Sequence, residues 1–176
     1  MTTYSHFFWN FVLARRRPWR WEFAIGAVLP DVVYFPLMLR TIAEHGAGSW
    51  GDLALWDAAA AHPVTIVLHS YVPVGCALAI TYAAGWVQVA PWLWGMFTHV
   101  VIDMLTHVRD AYPILWPLAD YRFPSPVSYY ESAHYGREFF FVEHGAMAVV
   151  LLLLAVGYVR RRWAGRAPEP VKAADA

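Results

Sequence analysis

Charged residues are scarce in this 176-residue sequence. Asp, Glu, Lys and Arg together make up 15% of it, and none of them occurs between Ala58 and Ile102. A soluble globular domain carries about 25% charged residues. A charge-free run of this length is enough for two membrane spans of about 20 residues each. The composition therefore argues against an ordinary soluble domain and indicates an integral membrane protein.

Cysteine is nearly absent as well. Cys76 is the single cysteine of the sequence, which excludes an internal disulfide. The N-terminal segment "SHFFWNFVLARRR" places its apolar residues before its basic ones, which is the reverse of a secretory signal peptide. We therefore expect no cleavable signal and assume that the membrane segments themselves direct the protein to its membrane.

Arginine is abundant at the two ends of the apolar region. One cluster lies in "RRRPWR" at 15–20 and the other in "RRRWAGR" at 160–166, and both adjoin apolar segments that contain tryptophan. Basic clusters beside membrane spans favour the cytoplasmic side. An even number of spans would place both clusters on that side. Because the arginines adjoin membrane segments, we expect the lipid bilayer and no nucleic acid as a partner.

The predicted fold class is an all-α integral membrane bundle with about four transmembrane helices. A short helix at 4–14 precedes the spans, and the proline-rich segment 107–138 is expected to form an irregular cap on the membrane surface. One domain would cover 1–163, and the tail 164–176 is expected to be disordered. The predicted spans are 21–39, which Pro30 and Pro36 interrupt, followed by 64–84, 87–106 and 139–159.

Ionisable side chains inside membrane segments are costly and mark functional sites by default. His99 and Asp103 share one face of a helix because they are four residues apart, and His107 follows one turn later. His134 and Glu138 form a second pair with the same spacing. Imidazole and carboxylate groups are ligands for zinc and similar divalent ions. The further candidates in or beside the predicted helices are His6, Asp31 and His69.

A helical hairpin through the basic turn would bring His6 and Asp31 together. His6 precedes Arg15 by nine residues, and Asp31 follows Arg20 by eleven. At about 1.5 Å per residue, both would lie about 14–16 Å from the turn. The spacing is therefore compatible with one metal ion bound by both residues.

Several stretches of the sequence resemble the membrane-bound metal-dependent hydrolases of bacteria and archaea, which are distantly similar to zinc-dependent phospholipase C. The resemblance covers most of residues 5–140. Its sharpest parts are Pro-Asp at 30–31 and His-x-x-x-Asp at 99–103. The stretches that carry it are "SHFFWNFVL", "AIGAVLPDVVYF", "LHS", "GMFTHVVIDMLTH" and "PILWPL".

The resemblance implies two divalent ions, zinc or manganese, that activate a water for attack on a phosphoester. Asp31 would bridge the ions or act as the base. Arg137 adjoins the second pair in the sequence and is a candidate for balancing phosphate charge, with an interfacial arginine as the alternative. A metal site at the membrane surface would suit a phospholipid or lipid-linked substrate, and the apolar spans predict a multi-pass protein of the inner membrane. The implied ligands are, in chain order, His6, Asp31, His69, His99, Asp103, His134 and Glu138, with His107 near a further ligand position.

Two other functions remain open at this point. The same histidines would suit a metal carrier or scaffold without catalysis, although a carrier is expected to show repeated halves, and the sequence has none. Alternatively, the polar groups would only pair with one another between membrane helices. Metal analysis separates the structural alternative from the other two, and an activity assay separates the enzyme from the carrier.

Overall fold

Helices and irregular segments make up the described part of the chain, and no strand occurs there. The computed structural model describes residues 1–46, 48 and 53–164. Two compact units are present, Met1–Phe139 and Phe140–Ala176. The all-helical part of the predicted fold class is confirmed.

Four helices form the N-terminal part of the first unit. The predicted helix at 4–14 is present as α1, and the predicted span at 21–39 is divided among three helices. Pro30 lies in the first turn of α3, where its missing N–H is tolerated. The bounds are α1 Thr3–Ala14, α2 Arg20–Gly26, α3 Leu29–Val32 and α4 Tyr34–His45.

Four further helices complete the regular part of this unit, namely α5 Leu53–Ala60, α6 Pro63–Leu68, α7 Tyr71–Ala83 and α8 Ala90–Thr106. The predicted span at 64–84 is interrupted at His69 and Ser70, which lie between α6 and α7. Helix α8 is central, since it packs against α1, α2 and α7. The contact between α7 and α8 agrees with the predicted hairpin.

Glycines allow α2 and α8 to approach each other closely. A Cβ at Gly26 would overlap the backbone of Trp92, and a Cβ at Gly95 would overlap the backbone of Phe23 and Ala27. No side chain larger than hydrogen fits at either position without separating the helices. The backbone of the α2 C-terminus therefore lies directly against α8.

The predicted cap contains little regular structure. Residues 107–131 form turns and extended segments, followed by a 3-10 turn at Ser132–His134. Tyr135 then adopts a left-handed conformation with φ of 61° before α9 begins. Backbone hydrogen bonds join the cap to the helices. The backbone N–H of Tyr71 donates to the carbonyl of Ile114, and the backbone N–H of Tyr129 donates to that of Thr106.

Helix α9, Gly136–Ala164, extends into the second unit. Among the described residues it is the one helix with the length and apolar composition to cross a membrane, over Gly136–Trp163. The pair Arg20–Gly26 and Leu29–His45 would qualify only as one span bent by 44°. Helix α8 has 17 residues, or about 26 Å, and falls short of a hydrocarbon core of about 30 Å. The four-span bundle therefore stays a prediction, as does the single domain at 1–163, and the tail from 165 onward lies outside the described residues.

Candidate metal centre

Four side chains from three parts of the first unit meet in its interior. Asp31 comes from α3, His69 from the break between α6 and α7, and His99 and Asp103 from α8. One ligand atom from each lies within 4.8 Å of the others. The histidines and Asp103 are at most 3% exposed, whereas the side chain of Asp31 is 13% exposed. The four residues could hold a metal ion.

Backbone carbonyls determine which nitrogen of each histidine faces the centre. His69 Nδ1 lies 2.8 Å from the carbonyl oxygen of Thr65, and His99 Nδ1 lies 2.7 Å from that of Ala27. A carbonyl only accepts a hydrogen bond, so that each Nδ1 must carry the proton and donate it. In the neutral ring, Nε2 then presents a lone pair. This second hydrogen bond is the usual companion of a metal-binding histidine.

The close approach of α2 and α8 produces the bond to Ala27. Gly95 precedes His99 by one helical turn and contacts the α2 backbone through Phe23 and Ala27. The Ala27 carbonyl therefore lies within reach of the imidazole of His99. The two glycines thus determine the orientation of a candidate ligand without contacting the centre themselves.

The spacing of the ligand atoms fits a small divalent ion. His99 Nε2 lies 3.0 Å from Asp103 Oδ2 and 3.6 Å from Asp31 Oδ1, and His69 Nε2 lies 3.7 Å from each of those oxygens. Tetrahedral zinc with ligands at about 2.0–2.2 Å has ligand–ligand distances of roughly 3.4 Å. Both Nε2 atoms are buried and lack a hydrogen-bond partner among the described residues. Such orphaned groups are costly unless something binds them.

The second oxygen of Asp103 faces another set of groups. Asp103 Oδ1 lies 2.8 Å from the Met1 amino group, 2.9 Å from His6 Nε2 and 3.2 Å from His107 Nε2. The His6 ring also stacks on that of His99, with centroids 3.8 Å apart. The structure thus brings His6 and His107 to the edge of the four-residue group. The predicted hairpin of α1 and α2, which pack against each other, brings His6 into this position.

The two flanking histidines differ in their electrostatics. Burial lowers the pKa of His6 to about 4, although Asp103 opposes this shift. Burial is the largest single effect on His107 and acts in the same direction, but the charge of Asp103 and the hydrogen bonds of Asp103 and Asp110 together raise the His107 pKa. Asp110 adds to this effect, since its Oδ2 lies 2.9 Å from His107 Nδ1. His6 is therefore a neutral imidazole near pH 7.

His134 and Glu138 do not lie on one helical face, and this part of the prediction was wrong. His134 ends the 3-10 turn, and the left-handed Tyr135 separates it from α9, which begins at Gly136. Glu138 and Arg137 are exposed. Neither His134 nor Glu138 belongs to the convergent group that the described residues form. Their role as metal ligands, and that of Arg137 toward phosphate, stay predictions without support from this geometry.

Sequence reasoning missed several groups that support the centre. The carbonyls of Thr65 and Ala27 orient the histidines, and Tyr112 stacks on His69 with ring centroids 4.0 Å apart. The spacing of Thr65 and His69, four residues apart, is a local signal that could have indicated the first bond. Residues 27 and 112 are distant from their partners in sequence, and no local pattern indicates them.

No protein-family model, no curated protein and no solved structure matches the chain.

Proposed function

We propose that the protein is a metal-dependent hydrolase that cleaves phosphoesters at a membrane. The observation that carries this proposal is the convergence of Asp31, His69, His99 and Asp103, in which both histidine Nε2 atoms are buried, face the two carboxylates and lack a hydrogen bond. A mixed set of imidazoles and carboxylates suits zinc, and manganese is the second choice. Resemblance to the metal-dependent hydrolases supplies the reaction class.

A cavity of about 520 Å³ gives the centre access to a substrate. Asp31 and His107 line it, together with the apolar side chains of Phe35, Met38 and Trp56. Of the four central residues, Asp31 is the one that lines this cavity. A substrate with an apolar part and a phosphoryl group would fit such walls, which supports a phospholipid or lipid-linked phosphate.

The residues would divide the chemistry among them. A divalent ion bound at the centre would act as a Lewis acid and lower the pKa of a nearby water. Asp31 faces the cavity, so its carboxylate would orient the attacking water and accept its proton as general base. His69, His99 and Asp103 are more deeply buried and would hold the ion. Water would add to phosphorus as the ester oxygen leaves with a proton, giving an alcohol and a phosphate product.

A second ion is part of the proposal. His6 and His107 flank the oxygen of Asp103 that faces away from the main centre, and these residues would hold the second ion. The number of metal equivalents per chain tests this point. We expect about two equivalents in the wild type and one in a His6→Ala, His107→Ala double variant.

The decisive experiment combines metal analysis with an activity assay. Elemental analysis of the detergent-purified chain is expected to give stoichiometric zinc or manganese. Hydrolysis of a chromogenic phosphodiester should be lost in Asp31→Asn while the metal content is followed separately. A metal-free chain that is indifferent to added zinc would overturn the proposal. Full metal content without hydrolysis of any phosphoester would favour the carrier or scaffold.

The proposed location is the inner membrane of a prokaryotic cell, with several spans. The charge-free run and the apolar helix Gly136–Trp163 support it. Extraction of isolated membranes with alkaline carbonate tests it, because an integral protein stays in the pellet. Release into the supernatant would contradict this part of the proposal.

A further inference from the structure

Arg109 lies in the wall of the cavity that gives access to Asp31 and His107. Its Nη1 donates to Asp57 Oδ2 at 2.6 Å, and its Nη2 donates to the Tyr130 hydroxyl at 3.1 Å. The backbone N–H of Arg109 donates to Glu131 Oε1 at 3.0 Å. The guanidinium group is therefore held in one orientation while its side chain is still 40% exposed.

The ion pair of Arg109 and Asp57 lies between two cavities. A second cavity of about 310 Å³ shares Asp57, Ala60, Arg109 and Asp110 with the first. Arg109 is thus accessible from both sides of this wall. Arginine has five N–H donors, and the two side-chain bonds named above use two of them. Among the bonds that the described residues form, the remaining guanidinium N–H groups are available to a further oxyanion.

Its charge and its exposure allow Arg109 to exchange Asp57 for another anionic partner. The hydrogen bonds to Tyr130 and Asp57 raise the pKa of Arg109 above its ordinary value, so it is cationic at every physiological pH. An exposed ion pair is weak, because water screens both charges. A phosphoryl oxyanion, which accepts two parallel N–H bonds from a guanidinium, would therefore displace Asp57 at little cost.

We propose that Arg109 binds the phosphoryl oxygens of the substrate, and that Asp57 competes with the substrate for this guanidinium group. The inference rests on the proposed function and names the anchor for its substrate class, an anionic phosphoester. The apolar walls at Phe35, Met38 and Trp56 would take the remainder of an amphiphilic substrate. Arg109 takes the phosphate-binding role that we predicted for Arg137 from the sequence. Arg137 is not among the residues that line either cavity.

The test is a calorimetric titration of the detergent-purified, metal-loaded full chain with hexylphosphonate, whose P–C bond resists hydrolysis. Arg109→Gln is expected to weaken binding about tenfold or more, since a hydrogen bond to a charged group is lost. Arg109→Lys should recover only part of the affinity, because lysine lacks the planar fork. Asp57→Asn should tighten binding several-fold because it removes the competitor. Arg40→Gln is the matched control and should bind like the wild type, because Arg40 forms an exposed ion pair with Glu44 and lines neither cavity.

Opposite effects of the substitutions at 109 and 57 distinguish recognition from a structural role. If the ion pair were purely structural, Arg109→Gln and Asp57→Asn would lower the melting temperature equally. Both variants would then also bind hexylphosphonate with the same affinity as each other. That result would overturn the inference, and so would wild-type affinity in Arg109→Gln or no binding of hexylphosphonate to the wild type. Titration with inorganic phosphate shows the source of the ligand. Tighter binding of hexylphosphonate supports a lipid phosphate, and equal binding supports a small soluble phosphoester.

The titration needs no turnover, so its outcome is independent of the proposed reaction. If the wild type hydrolysed no phosphoester but Arg109→Gln lost hexylphosphonate binding, the hydrolase proposal would be contradicted and the anion site at Arg109 would be supported. A chain that hydrolyses a phosphodiester and binds hexylphosphonate equally well in Arg109→Gln would contradict the anion site alone.

Discussion

Two histidine–carboxylate pairs with the same spacing lie in very different surroundings. His99 and Asp103 are both buried on one helix, and a backbone carbonyl from α2 orients the imidazole. His134 and Glu138 are separated by a left-handed residue, and Glu138 is exposed. A spacing of four residues therefore brings an imidazole and a carboxylate together only where the backbone is helical through both residues.

The largest difference between the two pairs should appear on removal of a carboxylate. Asp103→Asn is expected to weaken binding of the first ion by about 100-fold or more, because loss of a second-shell partner alone costs about 10–100-fold. Metal affinity measured with a competing chromophoric chelator checks this. Glu138→Gln is the matched control, and an equal loss there would remove the distinction between the pairs.

Forcing α2 and α8 apart should impair the same centre from a distance. A Cβ at Gly95 would overlap the backbone of Phe23 and Ala27, so Gly95→Ala should separate the helices and weaken the His99–Ala27 bond. We expect about a 10–100-fold loss of metal affinity and about 1–3 kcal/mol of destabilisation.

Gly75→Ala provides the control for this substitution. Nothing lies near a Cβ at Gly75, which is inside α7. Alanine there should stabilise the chain by about 0.5–1 kcal/mol and leave metal affinity unchanged. If Gly95→Ala bound metal as tightly as Gly75→Ala, the helix crossing would have no part in positioning His99.

Removal of the metal should lower thermal stability, because the ion would link α3, the α6–α7 break and α8. At a free ion concentration of 100 times the dissociation constant, binding adds about 2.7 kcal/mol. For a chain of this size, that corresponds to roughly 5–10 °C in Tm. A melt with and without EDTA measures the shift, and Asp103→Asn should show almost none.

The smallest effect is expected at the second pair. His134→Ala should leave the affinity of the first ion within about twofold of the wild type, since His134 is not among the residues that converge on the centre. Titration with the same chelator checks this value. A loss comparable with that in His99→Ala would show that His134 reaches the centre and would contradict the comparison drawn above.

The four central residues could be predicted from the sequence better than the backbone and the side chains that surround them. Asp31, His69, His99 and Asp103 could be selected because a charge or an imidazole stands out in an apolar segment. The helix at 4–14 and the hairpin that brings His6 inward also followed from local patterns. Each of these rests on information within a few residues.

The remainder depended on contacts between distant segments. The end of α6 at Leu68 and the left-handed conformation of Tyr135 are local backbone features that no apolar periodicity indicates. The place of Arg109 depends on Asp57 and Tyr130, which are 52 and 21 residues away in sequence. Arg137 was the predicted phosphate ligand because it adjoins the His134–Glu138 pair in the sequence, and no local pattern indicates Arg109.

Gly95, His99 and Asp103 occupy successive turns of one flank of α8. The motif that describes the centre is therefore Gly-x-x-x-His-x-x-x-Asp, in which the first position admits a neighbouring backbone and the other two supply donor atoms. A search of unrelated membrane sequences with this longer pattern would reject chains in which a bulky residue keeps the partner helix away. Such a filter uses steric exclusion, rather than donor chemistry, to recognise a binding site.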